Sequence, residues 1–144
     1  YRDQQVAPEL HPARLGNDLL QQARQQLGKL GGRPQDVLIF LGEYLSEPKP
    51  SVWFAAVERP IAAARFGQLA SQRGLQLSRQ SRMLYRDKYV FINGESLRAD
   101  GKDRLMLQAF ADERSLAPAA CHGCSSDLLD TLYDWYRQGW LRIA

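Results

Sequence analysis

Residues 82–98, RMLYRDKYVFINGESLR, decide the fold that the sequence predicts. Two runs of strand-forming residues, Met83 to Arg86 and Tyr89 to Ile92, are separated by two polar residues that favour a turn. Asn93-Gly94 follows and is the strongest short hairpin signal, because both central residues of that turn adopt positive φ. The residues after it are expected to return as a third strand, so the stretch predicts a small antiparallel sheet with tight turns.

The residues on either side of this stretch add predicted helices and further short strands. Helices are expected at 61–71, 103–112 and 126–138, and strands at 52–54, 75–77 and 140–143. Leu105, Met106, Ala109 and Phe110 are the expected buried positions of the second helix, which is also the candidate recognition helix. Helices around a small antiparallel sheet and a basic hairpin predict a winged-helix-like domain over residues 51–144.

Residues 1–50 form a separate helical unit in this interpretation. Pro48 and Pro50 mark its end, because proline cannot continue a helix and imposes extended backbone on the residue before it. Two helices are predicted, over residues 12–30 and 34–46, from a leucine stripe and from the glycines and proline between them. The predicted fold class is therefore α+β, with a helical hairpin followed by the winged-helix-like domain.

The second predicted helix is unusually apolar, with five consecutive apolar residues from Val37 to Leu41 followed by Tyr44 and Leu45. A two-helix hairpin cannot bury a band that covers more than one helical face. The band must pack against the following domain or against a second copy of the chain, and the sequence leaves both alternatives open. For a homodimer, the predicted interface residues are Leu19, Leu27, Leu38, Phe40, Leu41 and Tyr44.

The charge of the chain is uneven although its net value is only +3, from 19 basic and 16 acidic side chains in 144 residues. Residues 65–98 hold seven basic and two acidic side chains. The possible basic surface consists of Arg79, Arg82, Arg86 and Lys88. A basic wing can neutralise phosphates, so a stand-alone winged-helix nucleic-acid-binding protein is the alternative function. It is not favoured, because a solvated strand face explains the same arginines.

The sequence offers little catalytic chemistry. His11 and His122 are its only histidines, and no HxD, HExxH, GxSxG or phosphate-binding loop occurs. Residues 121–124, Cys-His-Gly-Cys, are the one motif that resembles a metal or redox site, but they provide three ligands where structural zinc takes four. Two thiols and an imidazole in a loop are the favoured interpretation, a metal or thiol enzyme is a distant alternative, and no catalytic or metal residue is assigned.

Composition bounds the class of protein further. No apolar run approaches the roughly 20 residues that a membrane-spanning helix needs, so no membrane partner is expected. Two cysteines in a chain long enough to bury a core fit a reducing cytoplasm. The sequence begins with Tyr1 and not with Met, and we expect that a preceding part of a longer protein has been removed.

The hairpin stretch 82–98 resembles the wing hairpin of the bacterial JmjC-type ribosomal oxygenases, which are cupin-fold, iron(II)- and 2-oxoglutarate-dependent protein hydroxylases. The neighbouring segments are similar in order. Residues 1–12 resemble the segment that leaves the catalytic barrel, and the helices through Leu45 resemble the dimerisation region of that family. Residues 137–141, RQGWL, resemble its C-terminal turn from helix to strand, so the resemblance covers essentially the whole chain.

The resemblance implies that the chain is the non-catalytic C-terminal part of such an oxygenase, with a homodimerisation region and a winged-helix domain. Iron(II) and 2-oxoglutarate would belong to a JmjC barrel that this sequence does not include. The substrate of the whole protein would be a ribosomal protein, hydroxylated on an arginine. No iron ligand or 2-oxoglutarate-binding residue can be transferred to a position of this sequence.

Overall fold

The computed structural model of the chain describes residues 10–29 and 31–144. The helices of this part are α1 (Asn17–Gly28), α2 (Pro34–Ser46), α3 (Ala63–Arg73), α4 (Gly101–Glu113), α5 (Pro118–His122) and α6 (Ser126–Arg137). The strands are β1 (Leu75–Leu77), β2 (Met83–Arg86), β3 (Tyr89–Ile92), β4 (Glu95–Arg98), β5 (Ser115–Leu116) and β6 (Leu141–Ile143). Two predicted features lie outside the described residues. They are the helix end at Leu30 and most of residues 1–12, the segment that resembles the exit from the catalytic barrel.

Strands β2, β3 and β4 form the antiparallel meander that residues 82–98 predict. Met83 lies opposite Ile92 in the first pair of strands. Asn93 and Gly94 have φ angles of 49° and 91°, which is the positive backbone conformation that an Asn-Gly turn requires. The three predicted strands and the Asn93-Gly94 turn are therefore confirmed.

A second sheet joins strands that are far apart in the sequence, in the order β5-β1-β6. Leu75 of β1 lies opposite Leu116 on one side and Ile143 on the other. The predicted strands at 75–77 and near the C-terminus are thus confirmed, and their pairing closes the domain. The largest fully buried side chains of its helices are Phe66, Phe110, Leu107 and Leu132.

Helices α5 and α6 are joined by the three residues 123–125, which is the arrangement of a helix-turn-helix. Ser125 caps α6, because its Oγ accepts a hydrogen bond of 3.1 Å from the backbone N–H of Leu128. The candidate recognition helix at 103–112 stays a prediction. Helix α4, which covers it, buries Met106 and Phe110 in the core.

The pair of helices α1 and α2 packs on the meander. Phe91 of β3 is completely buried and shares a hydrophobic cluster with Leu15, Leu20, Leu38 and Leu41. Much of the apolar band of α2 therefore packs within the chain. This is the first of the two alternatives that the sequence leaves open, and it accounts for the inner face of the helix.

Helix α1 begins at Asn17 and not at the predicted Pro12, because the residues before it pair with a strand. The backbone N–H of Leu15 donates to the carbonyl of Tyr85 at 2.9 Å, and the N–H of Tyr85 donates to the carbonyl of Ala13 at 3.0 Å. These bonds form a parallel bridge along β2. Hydrogen bonding to the sheet edge replaces the first turn of the predicted helix.

Two further local predictions are wrong. Residues 52–54 form no strand, and the nearby Val57 N–H instead donates to the carbonyl of Arg137 at 2.9 Å. Leu105 is 60% exposed, since the buried face of α4 is formed by Met106, Leu107 and the residues one turn later. Within residues 10–29 and 31–144, no helix combines the length and apolarity that crossing a membrane demands.

Candidate interaction surface

The outer face of α2 is the most apolar exposed part of a helix in the described chain. Phe40 is 57% exposed and Tyr44 is 65% exposed. Their rings stack on each other with a centroid distance of 6.1 Å and an interplanar angle of 12°. Large aromatic side chains are enriched in the centres of protein interfaces, so this pair is the strongest candidate for a contact with another molecule.

The structure divides the predicted dimer interface into two groups. Leu38 and Leu41 are buried against the meander inside the chain, which corrects their assignment to a contact surface. Leu27 is partly buried. Leu19 is 42% exposed on α1 and joins Phe40 and Tyr44 as a residue that a second molecule can reach.

Two contacts of α2 with the meander fix the position of Phe40 and Tyr44. Gly42 allows the helix to approach β3, because a Cβ at this position would lie 2.4 Å from carbons of the Phe91 ring. At the end of the helix, the buried Ser46 Oγ accepts a hydrogen bond of 3.0 Å from the N–H of Gly94 and donates one of 3.2 Å to the carbonyl of Glu43. Close packing and this hydroxyl bridge fix the helix to the turn between β3 and β4.

A cleft of about 440 Å³ opens beside the aromatic pair, between the end of α2 and the β3–β4 turn. Its charged lining residues are Glu43, Glu47 and Glu95, and no lysine or arginine lines it. The carboxylate of Glu43 accepts a hydrogen bond of 2.6 Å from Ser96. The outer face of α2 is thus aromatic at its middle and acidic at its C-terminal end.

The predicted basic residues do not form one continuous patch. Arg79 and Arg82 are exposed before β2, whereas Arg86 and Lys88 lie at the other end of this strand. Arg86 donates to the carbonyl of Leu15 at 3.1 Å, and Lys88 lies 2.9 Å from a carboxylate oxygen of Asp100. Two of the four cations are therefore engaged within the chain.

The second helix of the helix-turn-helix is also poorly suited to phosphates. Asp127, Asp130 and Asp134 are exposed on α6, together with Arg137 near its end. Arg137 itself lies 3.8 Å from Asp134. Carboxylates at the helix that would enter a DNA groove repel the backbone phosphates, so the geometry does not favour nucleic acid.

The Cys-His-Gly-Cys motif forms the end of α5 and the turn into α6. Cys121 is buried, and the Sγ of the partly buried Cys124 lies 3.1 Å from the Sδ of Met106. Burial raises the pKa of both thiols, that of Cys124 to about 12. Since the thiolate is the nucleophilic form of cysteine, burial disfavours a nucleophilic role for both thiols. His122 is exposed.

The carboxylate of Asp112 on α4 makes three contacts that the sequence does not predict, and we call this group of contacts the Asp112 anchor. Its Oδ2 lies 3.0 Å from Nδ1 of His11 and accepts a hydrogen bond of 2.8 Å from the Tyr85 hydroxyl. Its Oδ1 accepts a hydrogen bond of 3.0 Å from the N–H of Ala13. Burial and the neighbouring carboxylate raise the pKa of Tyr85 to about 12, so its hydroxyl remains a donor. The Asp112 anchor holds the segment before α1 against the meander.

The described residues contain no group of three His, Cys, Asp or Glu side chains that could hold a metal ion. Residues 10–29 and 31–144 therefore do not fit an iron site.

Comparison with solved structures relates almost the whole chain to part of a larger protein. A structure of YcfD, a ribosomal oxygenase from Escherichia coli, shares 23% identity and a TM-score of 0.69, over 99% of this chain and 40% of that one. A crystal structure of the E. coli ribosomal oxygenase YcfD gives a TM-score of 0.70 at 22% identity, over 100% and 40%. A third, in complex with cobalt and 2-oxoglutarate, gives 0.68 at 22% identity, over 99% and 40%.

The search of curated proteins finds no match. The chain spans about 40% of the length of the solved structures that it resembles. The model of the ROXA-like winged helix matches residues 18–142. The chain therefore belongs to the ROXA-like winged-helix family.

Proposed function

We propose that this chain is the non-catalytic C-terminal part of an iron(II)- and 2-oxoglutarate-dependent ribosomal protein hydroxylase. The observation that carries the proposal is the asymmetry of coverage, since nearly all of this chain corresponds to about 40% of E. coli ribosomal oxygenase chains. One of those structures contains cobalt and 2-oxoglutarate, which fits a cofactor pair held by the other 60%. By resemblance, the residue hydroxylated by the whole protein is an arginine of a ribosomal protein.

In this proposal, the chain supplies structure and association and no chemistry. Iron(II) and 2-oxoglutarate would bind a JmjC barrel that precedes residue 1, because the described residues do not fit an iron site. The extended residues 13–15, pinned by the Asp112 anchor, would receive the chain from that barrel. A cytoplasmic location, where ribosomal proteins are made and both free thiols stay reduced, completes the proposal.

The first test is the nucleotide sequence that precedes the codon of Tyr1. We expect it to continue the reading frame and to encode an HxD motif followed by a later histidine, the ligand set of a non-haem iron site. The complete protein should then convert 2-oxoglutarate to succinate in the presence of iron(II) and a ribosomal protein. A start codon directly before Tyr1 contradicts the proposal.

We also propose that the chain forms a homodimer through the outer face of α2. The exposed stack of Phe40 and Tyr44 supports this, and Leu19 of α1 is a further exposed apolar residue of the helical pair. Sedimentation of the 144-residue chain at tens of micromolar should show a dimer, since an interface of modest affinity is already occupied there. A monomer under those conditions contradicts this part of the proposal.

A further inference from the structure

We infer that two copies of the chain pair their α2 helices antiparallel, with a two-fold axis at Phe40 and with Arg33 of each copy opposite Glu47 of the other. The inference rests on the proposed dimer and specifies its register. It follows from the pattern of exposed residues along one helix.

Apart from Pro34 and Gln35 of the first turn, which are exposed on other sides of the helix, the exposed residues of α2 and its two caps form a single stripe. They recur at steps of three, four, four and three residues, and they are Arg33, Asp36, Phe40, Tyr44 and Glu47. At about 100° per residue, all of them lie within about 40° of the direction of Phe40. One neighbouring helix can therefore contact the whole stripe.

The stripe is complementary to itself when one copy is reversed. A two-fold axis requires that residue i contacts j while j contacts i. Arg33 and Glu47 are each seven residues from Phe40, which is about 10 Å along the helix. The axis through Phe40 therefore places each guanidinium opposite a carboxylate and stacks Phe40 on its own copy.

The inner pair of the stripe is complementary as well. Asp36 and Tyr44 are each four residues from Phe40, so the same axis places them opposite each other. The Tyr44 hydroxyl can donate a hydrogen bond to the Asp36 carboxylate across the interface. A parallel pair would instead place Arg33 beside Arg33 and Glu47 beside Glu47, which is repulsive at both ends.

Neither terminal charge suits its own helix. Arg33 is the N-cap residue and Glu47 the C-cap residue, the reverse of what the helix dipole favours. The Arg33 side chain makes no capping bond, and neither residue forms an ion pair within the described part of the chain. In an antiparallel pair, each charge lies beside the helix end of opposite sign on the other copy.

The cleft beside Glu47 can accommodate the incoming side chain. Its lining includes the acidic residues Glu47 and Glu95 and the aromatic residues Phe40 and Tyr44. A guanidinium favours carboxylates and aromatic faces. Glu43 accepts a hydrogen bond from Ser96, whereas the carboxylates of Glu47 and Glu95 form no ion pair within the described residues and can accept from Arg33 of the second copy.

Charge reversal tests the register on the 144-residue chain. Arg33→Glu and Glu47→Arg should each raise the dimer dissociation constant about tenfold, because the two-fold axis repeats every like-charge contact. The double variant Arg33→Glu/Glu47→Arg should return within about threefold of the original chain. Arg79→Glu and Glu58→Arg make the same charge changes at exposed positions outside the stripe and should leave the constant unchanged.

Mixing the two single variants adds an independent measurement. In a mixed dimer, one copy carries two acidic ends and the other two basic ends, so both contacts are attractive again. The mixture should therefore sediment as a dimer at concentrations where each variant alone is a monomer. If the original chain is a monomer, the dimer proposal fails. If it is a dimer but neither the double variant nor the mixture restores association, the register is wrong while the dimer stands.

Discussion

Helices α2 and α6 are nearly the same length, 13 and 12 residues, and both pack an apolar face against the core of the chain. Their outer faces differ in chemistry. Helix α2 exposes Phe40 and Tyr44 at its middle, whereas α6 exposes Asp127, Asp130 and Asp134. The position of α6 in a helix-turn-helix would lead one to expect the contact surface there. The exposed aromatic side chains instead favour α2, because aromatic residues are enriched in the centres of protein interfaces.

The largest effect is expected between neighbouring residues on opposite faces of α2. Leu41→Asp should lower the free energy of unfolding by about 4 kcal/mol or more, because it buries a charge against Phe91. Phe40→Asp should cost the monomer less than about 0.5 kcal/mol, since its ring is exposed. Urea unfolding followed by circular dichroism at low micromolar concentration measures both. Equal losses would show that the two faces are not distinct.

The close approach of α2 to the meander gives the next largest effect. Gly42→Ala should destabilise the chain by about 2 kcal/mol, because the new Cβ overlaps the fully buried Phe91 ring. Gly67→Ala on α3 is the matched control, since nothing lies within 4 Å of its added Cβ. It should be neutral or stabilise the helix by up to about 1 kcal/mol. A tolerated Gly42→Ala would place the helix farther from β3 than described.

Association should distinguish the two outer faces directly. Tyr44→Ala should weaken the proposed dimer about tenfold, or about 1.4 kcal/mol, because it removes half of the exposed aromatic stack. Asp130→Ala on α6 should leave the dissociation constant unchanged. Sedimentation velocity over a concentration series measures both. A larger effect from Asp130→Ala would move the contact surface to the helix-turn-helix.

The smallest effect concerns the N-terminus of α6. Ser125→Ala should cost about 1 kcal/mol of stability, because it removes the hydroxyl that accepts from the N–H of Leu128. Ser126→Ala, at the next and also exposed position, should change stability by less than about 0.5 kcal/mol. Thermal unfolding of the two variants side by side makes the comparison. Similar midpoints would indicate that the cap contributes little.

The sequence predicts those parts of the fold that depend on neighbours in the chain. The Asn93-Gly94 turn and the three strands around it are local, and each is confirmed. Helix α2 was located correctly, but its inner face could not be identified, because consecutive apolar residues from Val37 to Leu41 give no single stripe. Only the position of Phe91 in the folded chain determines that Leu41 is inside and Phe40 outside.

The Asp112 anchor was beyond sequence reasoning for a related reason. It joins His11, Tyr85 and Asp112, which are separated by 27 to 101 positions, and no pattern in the chain links them. For residues 52–54, the sequence predicts a strand that the structure does not contain. Their composition favours a strand, but no partner strand lies beside them, and a strand without a ladder does not form.

The parallel bridge along β2 determines how the chain bears mechanical load. A force applied at His11 along the direction of β2 acts in shear, so that the two backbone hydrogen bonds of Tyr85 and the three contacts of Asp112 resist it together. A force perpendicular to β2 would instead break the same contacts one after another. A displacement of His11 along β2 would therefore act directly on the meander through these hydrogen bonds. It would reach α2 through Phe91, which packs against Leu38 and Leu41.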